Sequence, residues 1–220
     1  MMSQLVKQLS KESLVEAIKR AKEESKKRNF MQSVELILAI SGLDLRKPEN
    51  RIRTVIRLPH KSSKARRVAV FADGAVAEAA EKAGADRVIR EKEIDELAGS
   101  KKDVKKLAKE FDFFLAEPRF MAKIGRAMGS VLGPRNKMPQ ILPPNADVKA
   151  VIEGLRSSVS VNVRNNPMVA VAIGTEDMDE EDLAENALAV IDAISSKLPE
   201  KAFIKRVYVK TTMGPSVRVI

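Results

Sequence analysis

Apolar and polar positions change period along the chain, and each change predicts an element. Leu14, Ala17, Ile18 and Ala21 recur at helical spacing, while Lys19, Arg20, Lys22, Lys26 and Lys27 lie largely off that stripe. Ser13 and Glu16 have capping-box spacing and predict where this helix starts. From Phe30 the period becomes two. Val34, Leu36, Leu38 and Ile40 alternate with Ser33, Glu35, Ile37 and Ala39 and predict a strand. A second strand is predicted over 51–58, with Ile52, Thr54, Ile56 and Leu58 on one side and Arg51, Arg53, Val55 and Arg57 on the other. Such alternation suits a sheet with one covered face and one wet, cationic face.

The middle of the chain reads differently. Val68-Ala69-Val70-Phe71 is a short apolar run that ends in Asp73-Gly74 and precedes an Ala-rich helix at 75–83. Then come Arg87-Val88-Ile89, a helix at 101–109, the run from Phe111 to Leu115, and a helix from Arg119 to Met128. Apolar runs alternating with helices predict βαβ units and a parallel sheet. A Gly/Pro stretch follows from Gly129 to Pro144.

After it the alternating style returns. Val159, Val161 and Val163 predict a strand, Asn165-Asn166-Pro167 a turn, and Val169, Val171 and Ile173 the partner strand of a hairpin. Asp179-Glu180-Glu181-Asp182 opens a helix carrying Leu183, Ala187, Leu188, Val190, Ile191 and Ile194, with its acids at the positive helix end. Val207 and Val209, then Val217 and Val219, flank Thr211-Thr212-Met213-Gly214-Pro215. Both ends of the chain thus predict an antiparallel sheet with helices on one face, and the middle predicts a separate parallel unit. The expected fold class combines α+β and α/β in two domains. A discontinuous antiparallel-sheet domain at 1–66 and 156–220 is interrupted by an inserted Rossmann-like α/β domain at 67–155. Two chain crossings, near 60–67 and 152–158, are expected to act as a hinge.

Composition narrows the chemistry. The chain has 220 residues, 40 Lys+Arg against 30 Asp+Glu, and a formal net charge of +10. A polyanion is therefore the expected partner, nucleic acid ahead of membrane. Cysteine is absent and His60 is the only histidine, which excludes disulfides, thiolate zinc sites, a Cys nucleophile and any multi-His relay. Aromatic residues are 4% and tryptophan is absent, too few for a stacking platform for single-stranded RNA. No apolar run approaches a membrane span, and Met1 to Ser10 lacks the apolar core of a secretory signal, so a cytoplasmic protein is expected.

Charge position matters more than its total. Between Arg46 and Arg67 there are nine cations, including Arg51, Arg53, Arg57, Lys61 and Lys64, and one acid, Glu49. From Lys201 to Ile220 there are five cations and no acid. One basic run is an ordinary solvated face; two on the same sheet domain, with Arg164 on a third strand, point to phosphate contact.

Each individual motif also admits a plain structural role. Asp73-Gly74 carries one glycine and no phosphate-loop pattern, so a plain turn is the better reading and a dinucleotide site the poorer. The segment from Gly129 to Pro139 could hold a phosphate through backbone N–H groups and Arg135, but its chemistry favours a connecting loop. Thr211, Thr212 and Ser216 offer hydroxyls for ribose 2′-OH groups or base edges, Gly214 permits close approach, Pro215 stiffens the turn and Met213 adds a soft apolar contact. The same residues equally describe a simple β-turn. Phe30 reads as core by composition, His60 as a solvated or phosphate-facing residue, and the acids from Glu176 to Asp182 as helix-start residues rather than metal ligands.

Taken in order, these segments resemble the ribosomal protein L-one family, the universal protein of the large-subunit stalk, in its archaeal-type form. The resemblance spans nearly the whole chain. It rests on Thr211-Thr212-Met213-Gly214-Pro215-Ser216-Val217-Arg218, on Leu132-Gly133-Pro134-Arg135-Asn136-Lys137-Met138-Pro139, on Phe30 to Glu35, and on Arg164 to Gly174. It implies two domains, no enzymatic activity and no cofactor or metal. It further implies a monomer when free that binds large-subunit ribosomal RNA at the mobile stalk, binds its own messenger RNA to repress translation, and meets transfer RNA at the exit site. Carried over residue by residue, the RNA-binding positions are Phe30, Ser33, Glu35, Arg164, Thr211, Thr212, Met213, Gly214, Pro215 and Ser216, to which the basic pattern adds Arg53. The resemblance moves Phe30 from core to an exposed position against RNA. Asn29 stands where a cation commonly precedes this Phe, and Asn136 where the family commonly has glycine. The alternative reading is a nucleotide-dependent enzyme using the inserted α/β domain.

Overall fold

A computed structural model describes residues 10–64, 66–143 and 146–220. Positions 1–9 of the segment read for a secretory signal, and Pro144 at the end of the Gly/Pro stretch, lie outside the described residues. The chain divides into two units, Met1–Lys64 with Ser157–Ile220, and Ala65–Arg156.

The first unit is built on a four-stranded antiparallel sheet in the order β10-β9-β1-β8, with β1 at Ser33–Ser41, β8 at Met168–Thr175, β9 at Phe203–Thr211 and β10 at Ser216–Arg218. Alternation puts Val34, Leu36, Leu38 and Ile40 of β1 inward, with Val169, Val171 and Ile173 of β8 and Val207 and Val209 of β9. Helix α1, Lys11–Glu23, and helix α7, Glu180–Ser195, join this core. Leu14, Ala17, Ile18 and Ala21 form the buried stripe of α1; Leu183, Ala187, Val190, Ile191 and Ile194 form that of α7. The opposite side of β1, from Ser33 through Glu35 and Ile37 to Ala39, stays partly exposed.

Two strands pair apart from this sheet. β2, Ile52–Arg57, and β7, Ser158–Val163, form an antiparallel ribbon in which Ile52 faces Val163 and Arg53 faces Asn162. The expected hairpin between the segments around 159–163 and 169–173 is therefore corrected. β7 pairs with β2, and β8 pairs with β1. The Asn165–Pro167 turn carries the chain from one pairing to the other, where the Ile40 N–H donates to the Pro167 carbonyl at 2.9 Å. Both strands still send their valines into the same core.

The second unit is a parallel sheet, β4-β3-β5-β6, with β3 at Val68–Phe71, β4 at Arg87–Ile89, β5 at Phe113–Ala116 and β6 at Gln140–Ile141. Every residue of β3 and β5 is buried, because both faces are covered. Ala69, Phe71, Phe114 and Ala116 pack with α3 (Glu91–Ala98), α4 (Lys101–Glu110) and α5 (Pro118–Leu132). Val68, Val70, Phe113 and Leu115 pack with α2 (Gly74–Lys82) and α6 (Val148–Arg156). Phe71 and Phe114 stack at 5.9 Å between ring centres. This mixture of an antiparallel sheet made by both chain ends and an inserted parallel α/β unit is the expected fold class.

Several local expectations change. The cap of α1 is Ser10, three residues before the expected one: the Ser13 N–H donates to Ser10 Oγ at 3.1 Å. Helix α5 continues to Leu132, through Gly129, because Val131 and Leu132 extend its buried stripe. Helices α3 and α6 are additions to the expected elements.

Near the start of α7, Glu185 takes Lys11 Nζ at 2.7 Å and His60 Nε2 at 2.7 Å. The Lys11 ammonium first, and His60 after it, hold the Glu185 carboxyl down at about 2, below the ordinary 4.5. A carboxylate with a depressed folded-state pKa adds stability above its unfolded pKa and loses it as pH falls through the folded one. Urea unfolding of the wild type should therefore lose this contribution between pH 4.5 and about 2. The Glu185→Gln variant should show a flatter pH dependence in that window.

Candidate nucleic-acid interface

One end of the four-stranded sheet gathers most of the expected site. Strand β1 starts at Ser33 directly beside the turn that follows β9 at Thr211. The Ser33 N–H donates to Thr212 Oγ1 at 3.0 Å, the Thr212 N–H donates to the Ser33 carbonyl at 3.0 Å, and Lys210 Nζ donates to the Thr212 carbonyl at 2.9 Å. Across the strands Glu35 lies opposite Lys210, and Lys210 opposite Ser216, so these three form one row on the open face. Around them the surface carries Phe30 at 51% exposure, Met31 at 52% and Met213 at 57%, with Pro215 and Ser216 also exposed. Large apolar side chains left this open form a candidate contact surface.

What holds that surface lies underneath. Gln32 is 1% exposed. Its Oε1 accepts the Met213 N–H at 3.1 Å, and its Nε2 donates to Ser25 Oγ at 3.0 Å, Glu176 Oε2 at 3.1 Å and the Lys26 carbonyl at 3.3 Å. The Gln32 backbone N–H donates to Glu176 Oε1 at 2.9 Å, and the Glu176 N–H returns a bond to the Gln32 carbonyl at 3.0 Å. Thr211 Oγ1 donates to Ser25 Oγ at 2.8 Å. Sequence reasoning missed Gln32, Ser25 and Glu176, although one signal was present: Gln32 continues the inward register of Val34, Leu36 and Leu38 as a polar residue.

These bonds bear on three of the expected site residues. Thr211 is fully buried with its hydroxyl bonded to Ser25, so it shapes the turn and offers no surface to a partner. The Thr212 hydroxyl is engaged with Ser33 on the protein itself. At Gly214 a β-carbon would run into Thr211 Oγ1 and crowd Ser25, so packing within the protein itself requires glycine there. Phe30 sits on the surface, as the family resemblance implies and composition does not.

Arg53 and Arg164 belong to a second cluster. On the outer side of the β2–β7 ribbon, Arg51, Arg53 and Arg57 alternate with inward Ile52 and Ile56, and Arg164 follows Val163, the partner of Ile52. Arg53, Arg57 and Arg164 have no carboxylate partner among the described residues. Guanidinium groups without internal counter-ions are free to exchange solution anions for phosphates. Arg164 lies near the Pro167 contact at Ile40, while Thr212 lies at Ser33. Strand β1 covers about 23 Å between those points. The structure thus brings Phe30, Ser33, Glu35 and residues 212–216 together and sets Arg53 and Arg164 apart from them.

In the second unit the candidate cations bond to carbonyls of the unit itself. Arg135 Nη1 donates to the Val131 carbonyl at 3.2 Å, and Lys137 Nζ donates to the carbonyls of Ala108 and Phe111 at 2.9 and 2.7 Å. Burial lowers the Lys137 pKa. Asn136 takes a left-handed φ of 58°, the conformation for which glycine is otherwise favoured. At the β3–α2 junction, where a phosphate would bind, the Asp73 N–H donates to Glu117 Oε1 at 2.8 Å, and Glu117 Oε2 pairs with Arg119 Nε at 2.7 Å. His60 is held by Glu185 and, at 3.4 Å, Asp182, rather than facing phosphate; its backbone N–H donates to buried Asn186 at 2.9 Å.

The chain belongs to a family of ribosomal proteins rather than of enzymes: residues 14–215 match the model described as the Ribosomal protein L1p/L10e family. The alternative of a nucleotide-dependent enzyme is thereby set aside. The chain is 51% identical to the large ribosomal subunit protein uL1 of Thermococcus kodakarensis over 211 residues, 95% of this chain and 97% of the relative. It is 47% identical to that of Archaeoglobus fulgidus over 213 residues, 96% of this chain and 99% of the relative. It is 44% identical to that of Pyrobaculum calidifontis over 211 residues, 96% and 95% of the two chains. Among the described residues no helix is long and apolar enough to cross a membrane.

The buried role of Thr211 has a measurable consequence. Thr211→Val should lower the unfolding free energy by about 1 kcal/mol in urea denaturation, the value of one hydrogen bond between protein groups.

Proposed function

We propose that this protein is a cytoplasmic constituent of the large ribosomal subunit that binds large-subunit ribosomal RNA at the mobile stalk through its first unit, and that it represses translation by binding a similar structure in its own messenger RNA. The observation that carries this reading is the pair of surfaces on that unit. Phe30 and Met31 ahead of β1 and Met213 in the turn after β9 stand exposed around buried Gln32, and the β2–β7 ribbon presents Arg53 and Arg57 with no carboxylate partner among the described residues. The apolar turn, with Ser33, Glu35, Pro215 and Ser216 beside it, reads local RNA shape. Arg53 and Arg164 hold the backbone and set position without reading sequence. Thr211, Thr212 and Gly214 act by fixing the turn. Membership in the ribosomal protein family and the names of the archaeal relatives support the same partner. The protein is a monomer when free, and transfer RNA at the exit site is a further partner on the ribosome.

Co-sedimentation with large ribosomal subunits tests the ribosomal reading; a protein left wholly in the supernatant would remove it. The two surfaces should separate in a binding titration against a transcript of large-subunit ribosomal RNA. Arg53→Ala should weaken binding and reduce the slope of log affinity against log salt by about 1. Met213→Ala should weaken binding about fivefold while leaving that slope unchanged, because it removes apolar contact and no charge.

A further inference from the structure

The Gln32 carboxamide ties together three segments that are far apart in the sequence. It touches the end of α1 through Ser25 and Lys26, the segment after β8 through Glu176, and the turn after β9 through Met213. Two neighbours of Gln32 in sequence, Phe30 and Met31, are exposed, and so is Met213. One buried amide therefore sets the height of an apolar surface whose parts come from opposite ends of the chain. We propose that Gln32 is a positioning and specificity-determining residue for RNA recognition, acting through Met213 and Phe30 without touching RNA. The proposal rests on the RNA-binding reading above.

Its chemistry must be that of a neutral amide. Both Glu176 oxygens accept from Gln32, one from the backbone and one from the side chain. Nearby ammonium groups are engaged elsewhere: Lys22 with the Met178 carbonyl and Glu180, and Lys210 with the Thr212 carbonyl. Lys26 meets Gln32 through its carbonyl. A glutamate at position 32 would place a second carboxylate against Glu176 at hydrogen-bond distance. Each carboxylate disfavours ionisation of the other, so the pair would hold a proton at low pH and repel once both are charged at high pH. The protonated acid keeps one donor for Glu176 and one acceptor for the Met213 N–H, and it has nearly the shape of glutamine.

The test uses the full chain and a transcript of large-subunit ribosomal RNA, with an unrelated transcript of equal length alongside. Gln32→Ala should bind the ribosomal transcript about tenfold more weakly, with the salt slope and the affinity for the unrelated transcript unchanged. Its loss should not add to that of Met213→Ala in the double variant, because both act on the same turn. Gln32→Glu should bind poorly at about pH 8 and regain at least about fivefold, relative to wild type, at about pH 5.5. Wild-type affinity for Gln32→Ala, fully additive losses, or a Gln32→Glu to wild-type ratio independent of pH would each overturn the proposal. Should Gln32→Ala fail to fold, the pH ratio of Gln32→Glu decides. A wild-type protein that does not distinguish the two transcripts would instead defeat the RNA reading, before any variant is compared.

Discussion

The exposed turn after β9 stays in place because Gln32 and Thr211 are buried beneath it and bond to Ser25, Glu176 and the turn itself. Leaving a buried donor or acceptor unpaired costs more than a paired one gains, so a satisfied network of this kind resists rearrangement. Gln32, Thr211 and Ser25 form such a network at one end of the sheet, with Glu176 closing it. Apolar packing fixes the rest of the unit, where Val34, Leu36 and Leu38 meet α1 and α7. Packing alone would leave the turn free to slide, since it is non-directional. Hydrogen bonds with defined geometry give Phe30, Met31 and Met213 a fixed relation to each other, and that fixed relation is what a contact surface requires.

Much of this was legible in the residue pattern. The period-two runs located β1, β2, β7, β8 and β9, and the apolar runs of the middle located β3 and β5. Pairing was harder to read. Val159–Val163 and Val169–Ile173 look like the arms of one hairpin, yet each finds a different partner, because pairing is decided by tertiary contacts that a local pattern does not contain. Helix α3 has only Ile94 and Leu97 as large apolar residues among five charged ones, too little for a stripe. Helix α6 was readable, since Val148, Val151, Ile152 and Leu155 recur at helical spacing.

The site was legible in its surface residues and not in its supports. Composition placed Phe30 in the core; only resemblance moved it out. Hydroxyls at Thr211 and Thr212 looked available because sequence shows what a side chain offers, not what it is already bonded to. The clue lay in parity. Gln32 and Thr211 continue the inward registers of two neighbouring strands, and both are buried. Polar residues at core positions of adjacent strands mark a place where the interior changes from packing to hydrogen bonding.

The inserted unit shows the reverse arrangement. Its strand order would ordinarily open a crevice at the ends of β3 and β5, where related folds receive nucleotides. Here the carboxylate of Glu117 occupies the first backbone donor of that crevice, with Arg119 balancing its charge. The chain brings its own tethered anion, always present at high local concentration, so a dissolved phosphate has to displace a covalently attached competitor. Any phosphate arriving at that crevice therefore meets a first donor already committed to the chain itself.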